Sequence, residues 1–259
     1  MMKKLLASVC GAAAMLMAAP ASAVPVGLEL VLLIDVSGSV NDSEYALQKG
    51  GYVSAFQSAA VQNAILGSVG GAIAVTYVEW SGAAQQAQKV GWTLINSAAS
   101  ANSFAALISG LTQSYKGSTA IQNAMHYGAG LFGTETGGAI SNGFESGSGR
   151  QVMDVSGDGA CNDGNCVGAN GRNYALGLGV DTINGLAIGD QSITDYYNNS
   201  VKGGGGFVID VASFSDFGAA IEKKLIKEIT NDVPEPVSLA LVGIGLLGLG
   251  VARRRAAKA

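Results

Sequence analysis

The stretch Val31-Leu32-Leu33-Ile34-Asp35-Val36-Ser37-Gly38-Ser39-Val40 constrains this chain more than any other. An apolar run stops abruptly at a carboxylate, and two hydroxyls follow on alternate residues. A strand with one wet face alternates polar and apolar side chains. This one does not, so it reads as an inner strand of a parallel sheet covered on both sides. Asp35, Ser37 and Ser39 leave the strand end as a cluster of hard oxygen donors. Gly38 gives the backbone freedom to turn so that both hydroxyls face inward. Such a cluster suits Mg²⁺ or Mn²⁺, which take oxygen ligands in octahedral geometry.

The rest of the chain supplies the layers that such a strand needs. Leu28 to Val36 is the first strand, and Gly71 to Trp80 is a second, rich in β-branched and aromatic residues. Gln88 to Ile95 reads as its hairpin partner at the sheet edge. Gln151 to Ser156, Val180 to Ile188 and Gly206 to Ala212 read as further strands. Between them, helices are expected from about Glu44, over Ala59 to Leu66, Ser103 to Leu111, Ala120 to Leu131 and Asn170 to Leu178. Asn41, Asp42 and Ser43 offer N-caps for the first of these. Gly50-Gly51 weakens its middle. The Gly/Ser/Thr-rich segment from Gly133 to Gly149 reads as a loop. Phe217, Ile221, Leu225 and Ile229 recur every fourth residue and mark a last amphipathic helix. Strands alternating with helices predict an α/β sheet, mostly parallel, with helices on both faces.

The two ends carry different signals. Met1 to Ala23 has a basic start at Lys3 and Lys4, an apolar stretch and a small-x-small site at Ala21-Ser22-Ala23. It reads as a secretory signal peptide cleaved after Ala23, with the mature chain beginning near Val24. At the other end, Val233-Pro234-Glu235-Pro236 breaks the last helix. Val237 to Ala252 follows without charge, then Arg253-Arg254-Arg255. As a helix this apolar span is only ~24 Å long, against the ~30 Å core of a bilayer. Of the 15 Lys and Arg residues, six are Lys3, Lys4, Arg253, Arg254, Arg255 and Lys258. The stretch between Lys4 and Arg253 therefore holds nine basic residues against 19 acidic ones, which argues against nucleic-acid binding.

Cys10 lies in the leader, so an exported chain retains Cys161 and Cys166, and such a close pair reads as a disulfide. Two reduced thiols are the alternative. A zinc pair is disfavoured, because the only histidine is His126.

Asp-x-Ser-x-Ser after a hydrophobic strand resembles the first motif of the von Willebrand factor A-like domain, which opens that domain's metal-ion-dependent adhesion site (MIDAS). Thr119, in Gly117-Ser118-Thr119 before a helix, stands where that family carries its second-motif threonine. Asp158, in Ser156-Gly157-Asp158-Gly159 after a strand, stands where it carries its third-motif aspartate. The resemblance spans about Leu28 to Ile229. It implies a three-layer, Rossmann-like fold with a mostly parallel central sheet, one antiparallel edge strand and helices on both faces. It also implies roles. Ser37 and Ser39 coordinate the ion directly, Thr119 does so directly or through water, and Asp35 and Asp158 hold coordinating waters or bind directly. An open position on the ion then takes a carboxylate from a partner protein or polysaccharide. Val75 to Gly82, Asp154 to Gly159 and Thr182 to Leu186 resemble a bacterial branch of this superfamily with no assigned function.

Pro234-Glu235-Pro236, the short apolar span and the arginines resemble the bacterial PEP-CTERM sorting signal. That resemblance implies handling by an exosortase, transient anchoring in the inner membrane, and delivery to the envelope surface or the extracellular matrix. The chain is thus expected to comprise a signal peptide over 1–23, a von Willebrand factor A-like domain over 24–232 and a sorting tail over 233–259.

Three other features compete for attention. Glu79-Trp80 at a strand end could touch a ligand, although rim packing is the commoner use of such an aromatic. A lone histidine such as His126 is more often structural than catalytic. Asp163, with Asn162 and Asn165, could bind Ca²⁺, but the spacing of an EF-hand is missing and a disulfide-pinned turn is preferred. The overall expectation is a secreted, metal-dependent binding module and not an enzyme. A matrix protein with a vestigial site and a metal-assisted hydrolase are the alternatives.

Overall fold

The computed structural model describes residues 23–145 and 150–230. The signal-peptide reading of residues 1–22 and the sorting tail, with Pro234, Glu235 and Pro236, lie outside them. β2 (Leu28–Asp35) is buried along its whole length, as its unbroken apolar run requires. β3 (Ile73–Trp80) pairs with it in parallel on one side, and β6 (Arg150–Gly157) does so on the other. The sheet runs β4-β3-β2-β6-β7-β8, with β4 (Gln86–Ile95), β7 (Thr182–Ile188) and β8 (Val208–Val211) completing it. Only β4 is antiparallel to its neighbour. From β2 the chain moves first to β3 and later returns to the other side at β6. The crevice beyond the carboxyl ends of β2 and β6 is therefore the topological switch point, where open α/β sheets bind ligands.

Alternate residues of β2 feed two cores. Leu28, Leu30, Leu32 and Ile34 pack towards α1 (Asp42–Gln57), α2 (Ala59–Gly67), α3 (Ala98–Ser109) and α7 (Phe217–Thr230). Val31 and Leu33 pack towards α4 (Ile121–Leu131) and α5 (Asn170–Leu178). The Gly50-Gly51 pair does not break α1. A Cβ on Gly51 would come within 2.7 Å of the Phe217 ring, so the glycine lets α1 and α7 approach closely. Trp80 is fully buried in the α4-side core, which is the packing role.

The structure departs from sequence expectation where signals were local and small. α3 begins five residues earlier than expected, at Ala98. Ser97 and Ser100 form a capping box there, satisfying first-turn N–H groups that would otherwise be left open at this start. The segment expected as a loop from Gly133 holds a 3₁₀ turn (Gly133–Thr136) and a short strand, β5 (Phe144–Glu145). β5 pairs in parallel with β1 (Val24–Pro25) as a second, two-stranded sheet. α6 (Gln191–Tyr196) was not anticipated; Asp190 caps it by accepting from Ser192 and Ile193 N–H. At the end of β2 remote from the switch point, Glu29 is wholly buried. Its carboxyl is pushed up to about 9, first by burial and then by the neighbouring Glu135, while Asn142 donates to it.

Candidate metal centre

Five side chains from three loops meet at the switch point. Asp35 ends β2, and its Oδ1 accepts the Ser37 backbone N–H at 2.8 Å. The Ser37 and Ser39 hydroxyls lie 3.0 Å apart. Ser39 Oγ donates to Asp158 Oδ1 at 2.7 Å, joining the loop after β2 to the loop after β6. Thr119 Oγ1 donates to Ser37 Oγ at 3.4 Å from the loop before α4. Asp35 and Ser37 are fully buried and Thr119 nearly so, while Ser39 is exposed. The cluster is therefore closed at its base and open at its top.

Neighbouring contacts hold the three loops in place. Asn41 caps α1 directly after the serines, with Glu44 completing a capping box. Gly38 N–H donates to the Gly117 carbonyl at 2.7 Å, and a Cβ on Gly38 would sit 3.1 Å from the Lys116 carbonyl oxygen. Gly38 is not among the glycines with positive φ, so its role is this close approach and not the free turn expected from sequence. Asn162 grips Thr119 in both directions: Thr119 N–H donates to Asn162 Oδ1 at 2.8 Å, and Asn162 N–H donates to the Thr119 carbonyl at 2.9 Å. Gln113 Nε2 donates to the Val40 carbonyl at 3.0 Å.

The electrostatics leave room for a cation. Burial pushes the Asp35 carboxyl up to about 7; the Ser37 N–H pulls against this, and Asp158 adds to it. Asp158 is also raised, first by burial, and Glu44 adds to that. Among the described residues neither acid forms an ion pair. Asp35 Oδ2 and the Tyr197 hydroxyl are buried without a hydrogen-bond partner. Gly157, the last residue of β6, leaves the space beside these atoms: a Cβ there would meet Asp35 Oδ2 at 2.6 Å and the Tyr197 oxygen at 2.7 Å. A buried and a half-buried acid without counter-charge, an orphaned carboxylate oxygen and three converging hydroxyls fit a hard divalent cation. No three His, Cys, Asp or Glu side chains group as a metal cluster among the described residues. An ion here would have to use the hydroxyls.

Sequence reasoning had singled out all five of these residues. It missed Tyr197 and Gln113, and it gave Gly157 and Asn162 other roles or none: Asn162 was weighed as a Ca²⁺ ligand, not as the residue that grips Thr119. The Gly157 signal was visible between Ser156 and Asp158, but its meaning depends on Tyr197, which reaches the site from the segment after α6. His126 stacks on Tyr174 (centroids 4.0 Å apart, planes 5° apart), a packing contact between α4 and α5.

Cys161 and Cys166 form a disulfide with a Cα–Cα distance of 5.5 Å. It closes the loop that carries Asn162 and Asp163. Asp163 accepts the Ala83 N–H at 2.9 Å and the Gly164 N–H at 2.7 Å, the arrangement of a pinned turn. Replacing both cysteines by serine is expected to lower stability by about 2 kcal/mol, the entropy of a short loop. Urea unfolding of the oxidised protein and the double variant measures it, and identical midpoints would show that the bond is not a stabilising one.

The layer order and the single antiparallel edge are those of a von Willebrand factor A-like fold. The chain belongs to the family described as "Protein of unknown function (DUF1194)", whose family model matches residues 25–233. The PEP-CTERM protein-sorting motif matches residues 232–255 and implies recognition by exosortase-type machinery. Solved structures agree on the fold. Proximal thread matrix protein 1 from the mussel byssus, with a zinc-occupied MIDAS motif, superposes with a TM-score of 0.55 at 15% identity, covering 80% of this chain and 49% of that one. The pilus adhesin SpaC from Lactobacillus rhamnosus GG gives 0.57 at 14% identity, covering 80% of this chain and 30% of that one. A von Willebrand factor type A protein from Catenulispora acidiphila gives 0.50 at 14% identity, covering 79% and 43%. This chain thus spans less than half the length of these structures. No curated protein matches it. No helix among the described residues is long and apolar enough to cross a membrane.

Proposed function

We propose that this protein is an exported binding module of the cell surface or extracellular matrix, and that it engages an accessible carboxylate through a divalent cation, Mg²⁺ or Mn²⁺. The observation that carries this reading is the hydrogen-bonded cluster of Asp35, Ser37, Ser39, Thr119 and Asp158, closed below and open above. Ser37, Ser39 and Thr119 would hold the ion through neutral oxygens. Asp35 and Asp158 would balance part of its charge, directly or through water. The ion would supply an electrophilic position for an anionic oxygen. The chain's own part is to keep these donors converged, by the Gly38–Gly117 and Asn162–Thr119 contacts, before any ligand arrives.

We read the module as non-enzymatic. A nucleophilic serine needs an activating base such as an imidazole beside it, and among the described residues the Ser37 and Ser39 hydroxyls hydrogen-bond to each other, Thr119 and Asp158, not to His126. The test is calorimetric titration with Mg²⁺ and Mn²⁺, followed by capture of a carboxylate-bearing probe, triglutamate, with and without EDTA. Thr119→Ala is expected to lower probe affinity by about tenfold while costing ion affinity less, since one neutral donor is lost. Capture that is equal in EDTA would overturn the shared-ion reading.

A further inference from the structure

Beside the metal centre lies an open cleft of about 430 Å³, whose lining includes Gln85, Ser118, Asp163 and the backbone of Gly82, Ala83 and Gly117. Two contacts tie it to the loops of the site. Ser118 directly precedes Thr119, and the Gly117 carbonyl accepts the Gly38 N–H between the two site serines. The loop that ends at the Cys161–Cys166 bridge carries both Asn162, which grips Thr119, and Asp163, which lines the cleft.

The cleft is built from polar groups held in position. Gln85 Oε1 accepts the Gly82 N–H at 3.0 Å, and a Cβ on Gly117 would sit 2.2 Å from that same oxygen. Gln85 is thus seated against the Gly117 backbone. Its Nε2 has no acceptor among the described residues, which leaves two N–H groups for a ligand. Each Asp163 oxygen already accepts one backbone N–H and keeps further lone pairs. No large apolar side chain lines the cleft, so it lacks the anchor pocket that concentrates energy in protein–protein interfaces. It offers donors and acceptors together. A Lys or Arg side chain only donates, whereas a hydroxyl does both.

We infer that the cleft is a hydroxyl-binding subsite of the metal centre, so that the ligand is an acidic polysaccharide: a uronic acid places its carboxylate at the ion and its ring hydroxyls on Asp163 and Gln85. This rests on the metal-dependent reading above and names its ligand class.

The experiment titrates the folded domain, with Mg²⁺ present, with trigalacturonate and with triglutamate. Mg²⁺ titration and thermal melting are run alongside. Trigalacturonate is expected to bind about tenfold or more tightly than triglutamate. Gln85→Ala and Asp163→Asn are each expected to cost about tenfold on trigalacturonate, the scale of one to two hydrogen bonds. Neither should alter Mg²⁺ affinity or triglutamate affinity; the lost loop hydrogen bonds should lower the melting temperature only slightly and leave both variants folded at the titration temperature. Equal affinity for the two probes would overturn the sugar assignment in favour of an acidic protein. Trigalacturonate affinity unchanged in both variants would overturn the role of the cleft. Failure of the wild-type protein to bind Mg²⁺ would remove the metal reading itself, and the sugar assignment with it.

Discussion

Asp35→Ala is expected to abolish divalent-cation binding, a loss of at least about 100-fold, and to abolish carboxylate capture with it. Asp35 sits at the closed base of the cluster and orients Ser37 through its backbone N–H. Its second oxygen is buried without a partner, ready for a ligand or a water held by one. The fold should survive, because Asp35 is the last residue of β2 and the apolar side chains that fill both cores are untouched. The milder Asp35→Asn should even stabilise the ion-free protein. The Asp35 carboxyl rises from an ordinary 3.8 to about 7 on folding, chiefly through burial. A group raised in this way contributes stability that is complete below its unfolded value and is lost as pH rises through its folded value. Ion-free wild type should therefore weaken between about pH 4 and pH 8. The Asn variant lacks this contribution and should weaken less, and at pH 8 it should be the more stable by roughly 4 kcal/mol. Saturating Mg²⁺ should reverse the order, because only the wild type gains binding energy. Melting curves of both proteins at pH 5 and pH 8, with EDTA or with Mg²⁺, make the comparison. Ion affinity that survives Asp35→Ala would remove this residue from the site.

Lys224→Met is expected to be the most damaging single change away from the site. Lys224 is wholly buried on α7 and forms an ion pair with Asp154 on β6 and another with Glu228 Oε1 at 2.6 Å. Asn184 Nδ2 donates to the same Glu228 oxygen at 2.9 Å. One cation thus serves two buried carboxylates. Burial and the neighbouring Asp154 push Glu228 up to about 7, against the pull of Lys224 and Asn184. Methionine fills similar volume but leaves both acids without counter-charge. Removing one partner from a buried ionic group costs about 3–5 kcal/mol, or roughly 10 °C in a domain of this size. The loss should be partly recovered in acid, where the raised Glu228 carboxyl takes a proton. A melting temperature within 2 °C of wild type at neutral pH would show that α7 does not depend on this network.

The five-residue cluster was legible because its members sit where local signals are strong. Asp35, Ser37 and Ser39 follow an apolar run, Thr119 precedes a helix, and Asp158 follows a strand. The outline of the sheet was legible for the same reason: period and apolar runs report burial directly. The capping box that starts α3 was also present in the residues, as Ser97 and Ser100, but it is a short signal that a Ser/Ala-rich stretch obscures. What could not be read was every pairing that joins distant segments. β1 and β5 are two residues each, too short to show a period, and only their mutual hydrogen bonds make them strands.

By itself, the sequence determined that an apolar strand would be buried on both faces, which residues would leave its end as oxygen donors, and that a cysteine pair would close the loop behind them. Each follows from groups within a few residues of one another. Only the tertiary structure decided that Asn162 would lock Thr119, that Gly157 would leave space beside Asp35 and Tyr197, that Gln85 and Asp163 would line one cleft, and that Lys224 would neutralise Asp154. Those outcomes depend on strand register and helix docking, which bring together side chains tens of residues apart. No local pattern records such a distance, because the energy that selects it exists only once both partners have left water.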